Sequence, residues 1–181
     1  MRTFYLDPAL CDITNLMVKS WIRSEKFWVT VACVFSFAAA ALYSFCNTDT
    51  HHWAFVLGTV KDAIRGDHFF SEIYIQYGVG QSLLFSGLNY IFPVNYTLLG
   101  LVSAVFYVGT LLLLFTGMKR VTGFKNAIFI AAVPFLVHPY SIYPWPDYTA
   151  GFFLAAGCWW LVARSRPLAG LFFFVSFLFR N

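Results

Sequence analysis

The stretch YTLLGLVSAVFYVGTLLLLFTG, residues 96–117, runs for 22 positions without a charged side chain. At 1.5 Å of rise per residue a helix of that length covers about 33 Å, enough for the roughly 30 Å hydrocarbon core of a bilayer. A second such run, residues 27–46, precedes it, and shorter apolar runs follow at 126–137, 148–163 and 167–179. Trp, Tyr and Pro stand near the ends of the shorter runs, as is common at membrane–water boundaries. Of the 181 residues, 60% are hydrophobic and only 11% charged, against about 25% charged in a soluble domain. The expected fold class is an all-α membrane protein with about five transmembrane helices and interfacial helices in the first outer loop.

Charge sets the expected topology. In a soluble protein the net charge of +4 would point to nucleic acid or acidic partners, but beside apolar spans Lys and Arg mark the cytoplasmic side. With the N-terminus cytoplasmic, Arg2, Lys19, Arg23, Lys26, Lys119, Arg120, Lys125, Arg164 and Arg166 fall inside, and Lys61, Arg65 and Arg180 outside, 9 of 12 within. This count requires that residues 81–92 do not cross, and their length is below the usual spanning minimum of about 17. They are expected to form a short interfacial or re-entrant helix, the alternative being a tilted span that ends in a tight turn at Pro93–Asn95. The resulting plan is a cytoplasmic arm, 1–26, and a membrane-embedded domain, 27–181, with an outer interfacial segment at 47–80. A chain stopping at Arg180-Asn181 directly after an apolar run suggests a domain truncated at its C-terminus. The four cysteines, Cys11, Cys33, Cys46 and Cys158, are dispersed and imply no disulfide framework.

Within the outer segment, Trp53, Val56, Leu57, Val60 and Ile64 recur at helical spacing while Lys61, Asp62 and Arg65 face away, predicting an amphipathic helix. Gly66 suits its end, where a left-handed residue is wanted. Asp49, His51, His52, Asp67, His68, Glu72, His138, Asp147 and Arg180 all fall on the same outer side, and ionisable groups near a bilayer are candidates for function. Asp49 and Asp147 also suit helix N-capping. Asp49 and His52, three apart, could share a metal, though no defined ligand motif accompanies them. Arg180 either snorkels to headgroups or offers its guanidinium fork to a phosphate. Neither a glycine-rich phosphate loop nor a GxSxG nucleophile occurs, and the scattered basic residues give nucleic-acid binding no support.

The order of these features resembles the GT-C superfamily of membrane glycosyltransferases. It is carried by Asp49-Thr-His-His-Trp, Gly66-Asp67, the element Gln76-Tyr77-Gly78-Val79-Gly80-Gln81-Ser82-Leu83-Leu84, a long span ending in Lys119-Arg120, Asp147 at a helix start, and Arg180. Val79 stands where relatives carry proline, Thr50 where a second acid often follows the first, and Arg180 where transferases of the lipid A aminoarabinose type carry lysine. The resemblance implies transfer of a sugar from a polyprenyl-phosphate donor to an acceptor at the outer, extracytoplasmic face. In that reading Asp49 is the general base or orients the acceptor, Asp147 assists or shares a divalent metal with it, and Arg180, with His52 and Tyr77, binds substrate phosphate. The expected partners are the bilayer and the lipid-linked sugar. The alternative is a non-catalytic polytopic membrane subunit or a transporter fragment.

Overall fold

The computed structural model describes residues 24–46, 50–73, 78–137 and 146–180, without the side chains of 50–52 and 134–137. Among the described residues there are seven helices and no strand: α1 (Glu25–Cys46), α2 (Thr50–Arg65), α3 (Gly80–Asn89), α4 (Tyr96–Thr122), α5 (Phe124–Val137), α6 (Pro146–Val162) and α7 (Arg166–Phe179). The chain divides into two units, Met1–Phe35 and Ser36–Asn181. Of the first, the described part is the start of α1. There Ser24 Oγ accepts the backbone N–H of Phe27 at 3.2 Å, satisfying one of the donors that a helix start leaves open.

In the second unit α4 is the central element. Its Asn95 cap accepts from the Leu98 N–H at 2.9 Å, and its far end closes at Gly123, with φ of 86°. Of 27 residues, it is about 40 Å long. Its two halves pack against different partners. The first half meets α2 and α3, through Leu99 against Phe85, Val60, Leu57, Val56 and Trp53. It also meets the end of α1, where Ala40 and Ala41 join Ala104, Tyr107 and Leu111. The second half packs on α5 and α6, with Phe115 edge-on to Phe124 at 5.9 Å and Arg120 over the Trp159 ring.

The amphipathic helix forms where its spacing predicts, and most of its apolar face is buried against protein, while Ile64 at its end is exposed. Trp53, Val56, Leu57 and Val60 are all enclosed, each contributing about 1.5–3 kcal/mol relative to exposure in water. Gly66, at φ 97°, ends the helix as expected. Its N–H donates to Ala63 O and that of Asp67 to Asp62 O, the paired bonds of a left-handed helix stop. The expected short helix at 81–92 is α3, of ten residues and about 15 Å, too short to cross a bilayer.

Two helices, Glu25–Cys46 and Tyr96–Thr122, are long and apolar enough to cross a membrane. That is fewer than the five expected spans, because α5, α6 and α7 have 14, 17 and 14 residues and reach only about 21–26 Å. α6 and α7 form an antiparallel hairpin. Its turn is closed by Arg164 N–H to Leu161 O at 3.0 Å and Ser165 N–H to Trp160 O at 2.9 Å, with Arg164 in the left-handed region at φ 64°.

Candidate functional site

Because α6 and α7 run antiparallel, the start of one meets the end of the other. Pro146 opens α6, a position where its missing N–H costs nothing, and Asp147 follows in the first turn. At the end of α7 the backbone turns extended at Arg180, φ −145° and ψ 92°. That break carries the guanidinium to the start of α6, where Arg180 Nε lies 2.8 Å from Asp147 Oδ1. One turn along, Ser176 Oγ donates to Ala150 O at 2.8 Å and fixes the register of the pair of helices.

The start of α3 completes the arrangement. Thr149 Oγ1 donates to Gln81 Oε1 at 3.1 Å, a bond between buried side chains 68 residues apart in sequence. Glycine permits the contact: a Cβ at Gly80 would lie 2.9 Å from Leu178 O, and one at Gly78 would collide with the same carbonyl. Three chain segments, 78–82, 146–150 and 176–180, thus converge on one carboxylate and one guanidinium. Both side chains are about half exposed, 48% for Arg180 and 46% for Asp147, so a ligand can reach them. In water such a pair contributes about 0–1 kcal/mol.

The depth of this site is set by α4. Tyr148, beside Asp147, meets Tyr107 edge-on at 6.0 Å, eleven residues past the start of α4 at Tyr96. The ion pair therefore lies level with a point about 16 Å along α4. Beyond it, the first turns of α4 are occupied by α2 and α3. The pair lies short of the N-terminal end of α4.

No family model, curated protein or solved structure matches this chain. The site is therefore judged on its own geometry.

Of the five residues expected at the site, Asp147 and Arg180 are brought into contact. His52 lies in the first turn of α2, with its side chain outside the described residues, as are Asp49 and Tyr77 altogether. Gly78, next after Tyr77, is buried on the end of α7. His68 belongs to an exposed turn in which its backbone N–H donates to Glu72 Oε2 at 2.6 Å. Among the described residues no three His, Cys, Asp or Glu side chains group as metal ligands would. Gln81 and Thr149 were not singled out from sequence as site residues. Their one sequence signal is a polar side chain inside an apolar run, which many lipid-facing hydroxyls share.

Proposed function

We propose that the chain is an integral-membrane glycosyltransferase that takes a sugar from a polyprenyl-phosphate donor and transfers it to an acceptor at the outer face. The observation that carries this reading is the Arg180–Asp147 contact at 2.8 Å, at the meeting of three segments and accessible to a ligand. Support for the membrane comes from the apolar surface, where Val34, Phe35, Leu42, Val105, Phe129, Leu154, Leu171, Phe174 and Phe177 are all exposed. A soluble monomer rarely presents so much apolar area. In this reading α1, α4, α5, α6 and α7 make the five crossings, with the N-terminus inside. The short α6 and α7 end below the outer surface and leave a recess into which a lipid-borne headgroup can descend.

The chemistry asks for a cation at the leaving group and a carboxylate at the nucleophile. An acceptor hydroxyl oxygen bonds to the anomeric carbon, the bond from that carbon to the phosphate oxygen breaks, and the hydroxyl proton passes to a carboxylate. Arg180 receives the departing phosphate, for which its planar fork is suited. Asp147 holds that fork in place. The starts of α3 and α6 add partial positive charge at the same point. Asp49 is the proposed base, by resemblance alone. Asp147 paired with a guanidinium is a poor donor for a divalent cation, so phosphate stabilisation in this proposal falls to Arg180.

The test is transfer of labelled sugar from a panel of polyprenyl-phosphate donors by membranes containing the full-length protein. Arg180→Ala should lower transfer by about 10²–10³-fold while leaving the amount of folded protein unchanged. Undiminished transfer by that variant would reject the assignment of Arg180, and no transfer by the wild type from any donor would reject the activity.

A further inference from the structure

The opposite end of the same helices carries a group of basic side chains. Arg120 closes α4, Lys125 opens α5, Arg164 forms the α6–α7 turn and Arg166 opens α7. All four are exposed, and Lys119 adjoins them. The stack of Arg120 over the Trp159 ring, with Cζ 4.4 Å from its centroid, ties the end of α4 to the end of α6. The described acids of this unit lie elsewhere: Asp62 is in the last turn of the helix packed on the start of α4, Asp67 and Glu72 follow that helix, and Asp147 is at the other end of α6.

Helix dipoles account for half of this cluster. Arg120 and Arg164 adjoin helix C-termini, where a cation is favoured. Lys125 and Arg166 occupy helix starts, where the same rule disfavours positive charge and a nearby anion would offset it. The rim of the cluster is apolar, with Val121, Phe124, Leu161 and Val162 all exposed. Cations backed by exposed hydrocarbon match a ligand that is anionic at one end and apolar at the other. Arg120, held by its face on Trp159, keeps its N–H groups in plane for phosphate oxygens.

We propose that this end of the bundle binds the headgroup phosphates of anionic phospholipids, with Arg120, Lys125, Arg164 and Arg166 as the cations and the exposed apolar rim against the acyl chains. This rests on the membrane reading above and is independent of the transferase activity. The full-length protein would be reconstituted in mixed phosphatidylcholine and phosphatidylglycerol vesicles, extracted mildly, and its retained lipid quantified by mass spectrometry. Phosphatidylglycerol should be enriched over the bulk mixture. At about 1 kcal/mol per cation near a headgroup, Lys125→Gln and Arg166→Gln should each lower the enrichment about fivefold, whereas Lys61→Gln should not.

Raising the salt concentration should reduce the enrichment in the wild type, a readout that needs no variant to fold. No enrichment, or enrichment indifferent to salt and to both substitutions, overturns the proposal. Alkaline carbonate extraction separates the two readings. Release of the protein from membranes defeats the membrane reading itself, while retention without lipid preference defeats only the lipid site.

Discussion

The two ends of the α4, α6 and α7 bundle handle charge in opposite ways. At the Asp147 end one cation meets one anion at 2.8 Å, and the neighbouring polar groups bond across helices, Thr149 to Gln81 and Ser176 to Ala150. At the Arg120 end the basic side chains Arg120, Lys125, Arg164 and Arg166 are exposed, and Arg120 lies over the Trp159 ring. Charge paired within the protein can be matched to a specific ligand. Charge held in an exposed position can meet its surroundings, in the proposal above an anionic surface. The largest difference is therefore expected in catalysis: Arg180→Ala should lower sugar transfer by about 10²–10³-fold, the usual cost of losing one preorganised partner of a developing charge. Arg120→Ala should leave the rate of transfer unchanged in the same assay.

The second way to break the comparison is steric. Gly78 rests on the Leu178 carbonyl with no room for a Cβ, so Gly78→Ala should displace 78–82 from the end of α7. The expected loss is about 1–3 kcal/mol of stability, as for other overpacked sites, read as a lowered thermal midpoint in detergent. Gly123, at the Arg120 end, meets nothing within 4 Å of a built Cβ. Substitution there should act only through its positive φ, for which alanine is strained by about 1–2 kcal/mol.

The buried bond between Thr149 and Gln81 gives a smaller and more diagnostic effect. Thr149→Val leaves Gln81 Oε1 without that donor and should cost about 1–3 kcal/mol, whereas the double variant Thr149→Val/Gln81→Leu should recover most of the loss. A double variant no more stable than the single one would mean that the bond does not hold α3 on α6.

Much of the fold is legible in the sequence, because apolar runs and turn residues are local signals. The run at 96–117 becomes Tyr96–Thr122, and that at 27–46 becomes Glu25–Cys46, each extended by the charged residues that flank it. Gly66 ends α2 as its position predicts. What the run lengths could not settle is the partner of an apolar face. Trp53, Val56, Leu57 and Val60 have the same spacing whether they meet lipid or Phe85 and Leu99, and the structure chooses protein. At the site, Asp147 and Arg180 could be paired by reasoning about sides of a bundle, since each ends an apolar run. Gln81 and Thr149 could not, because their contact depends on how α3 folds back over the α6–α7 hairpin. The position of the site along α4 is likewise a tertiary outcome with no local mark.

The smallest expected effect concerns the stacked guanidinium. Arg120 is exposed, and an exposed cation on an aromatic face contributes about 0.5–1 kcal/mol. Arg120→Lys keeps the charge and loses the planar stack, while Arg120→Met keeps an unbranched chain against Trp159 and loses the charge. If the residue serves mainly to pack on the ring, the two variants should have similar midpoints in neutral detergent and similar lipid retention. If it holds a headgroup, Arg120→Lys should retain anionic lipid better than Arg120→Met, and the gap between them should close as salt is raised. At the Asp147 end salt should weaken only a half-exposed ion pair worth about 0–1 kcal/mol and leave lipid retention unchanged.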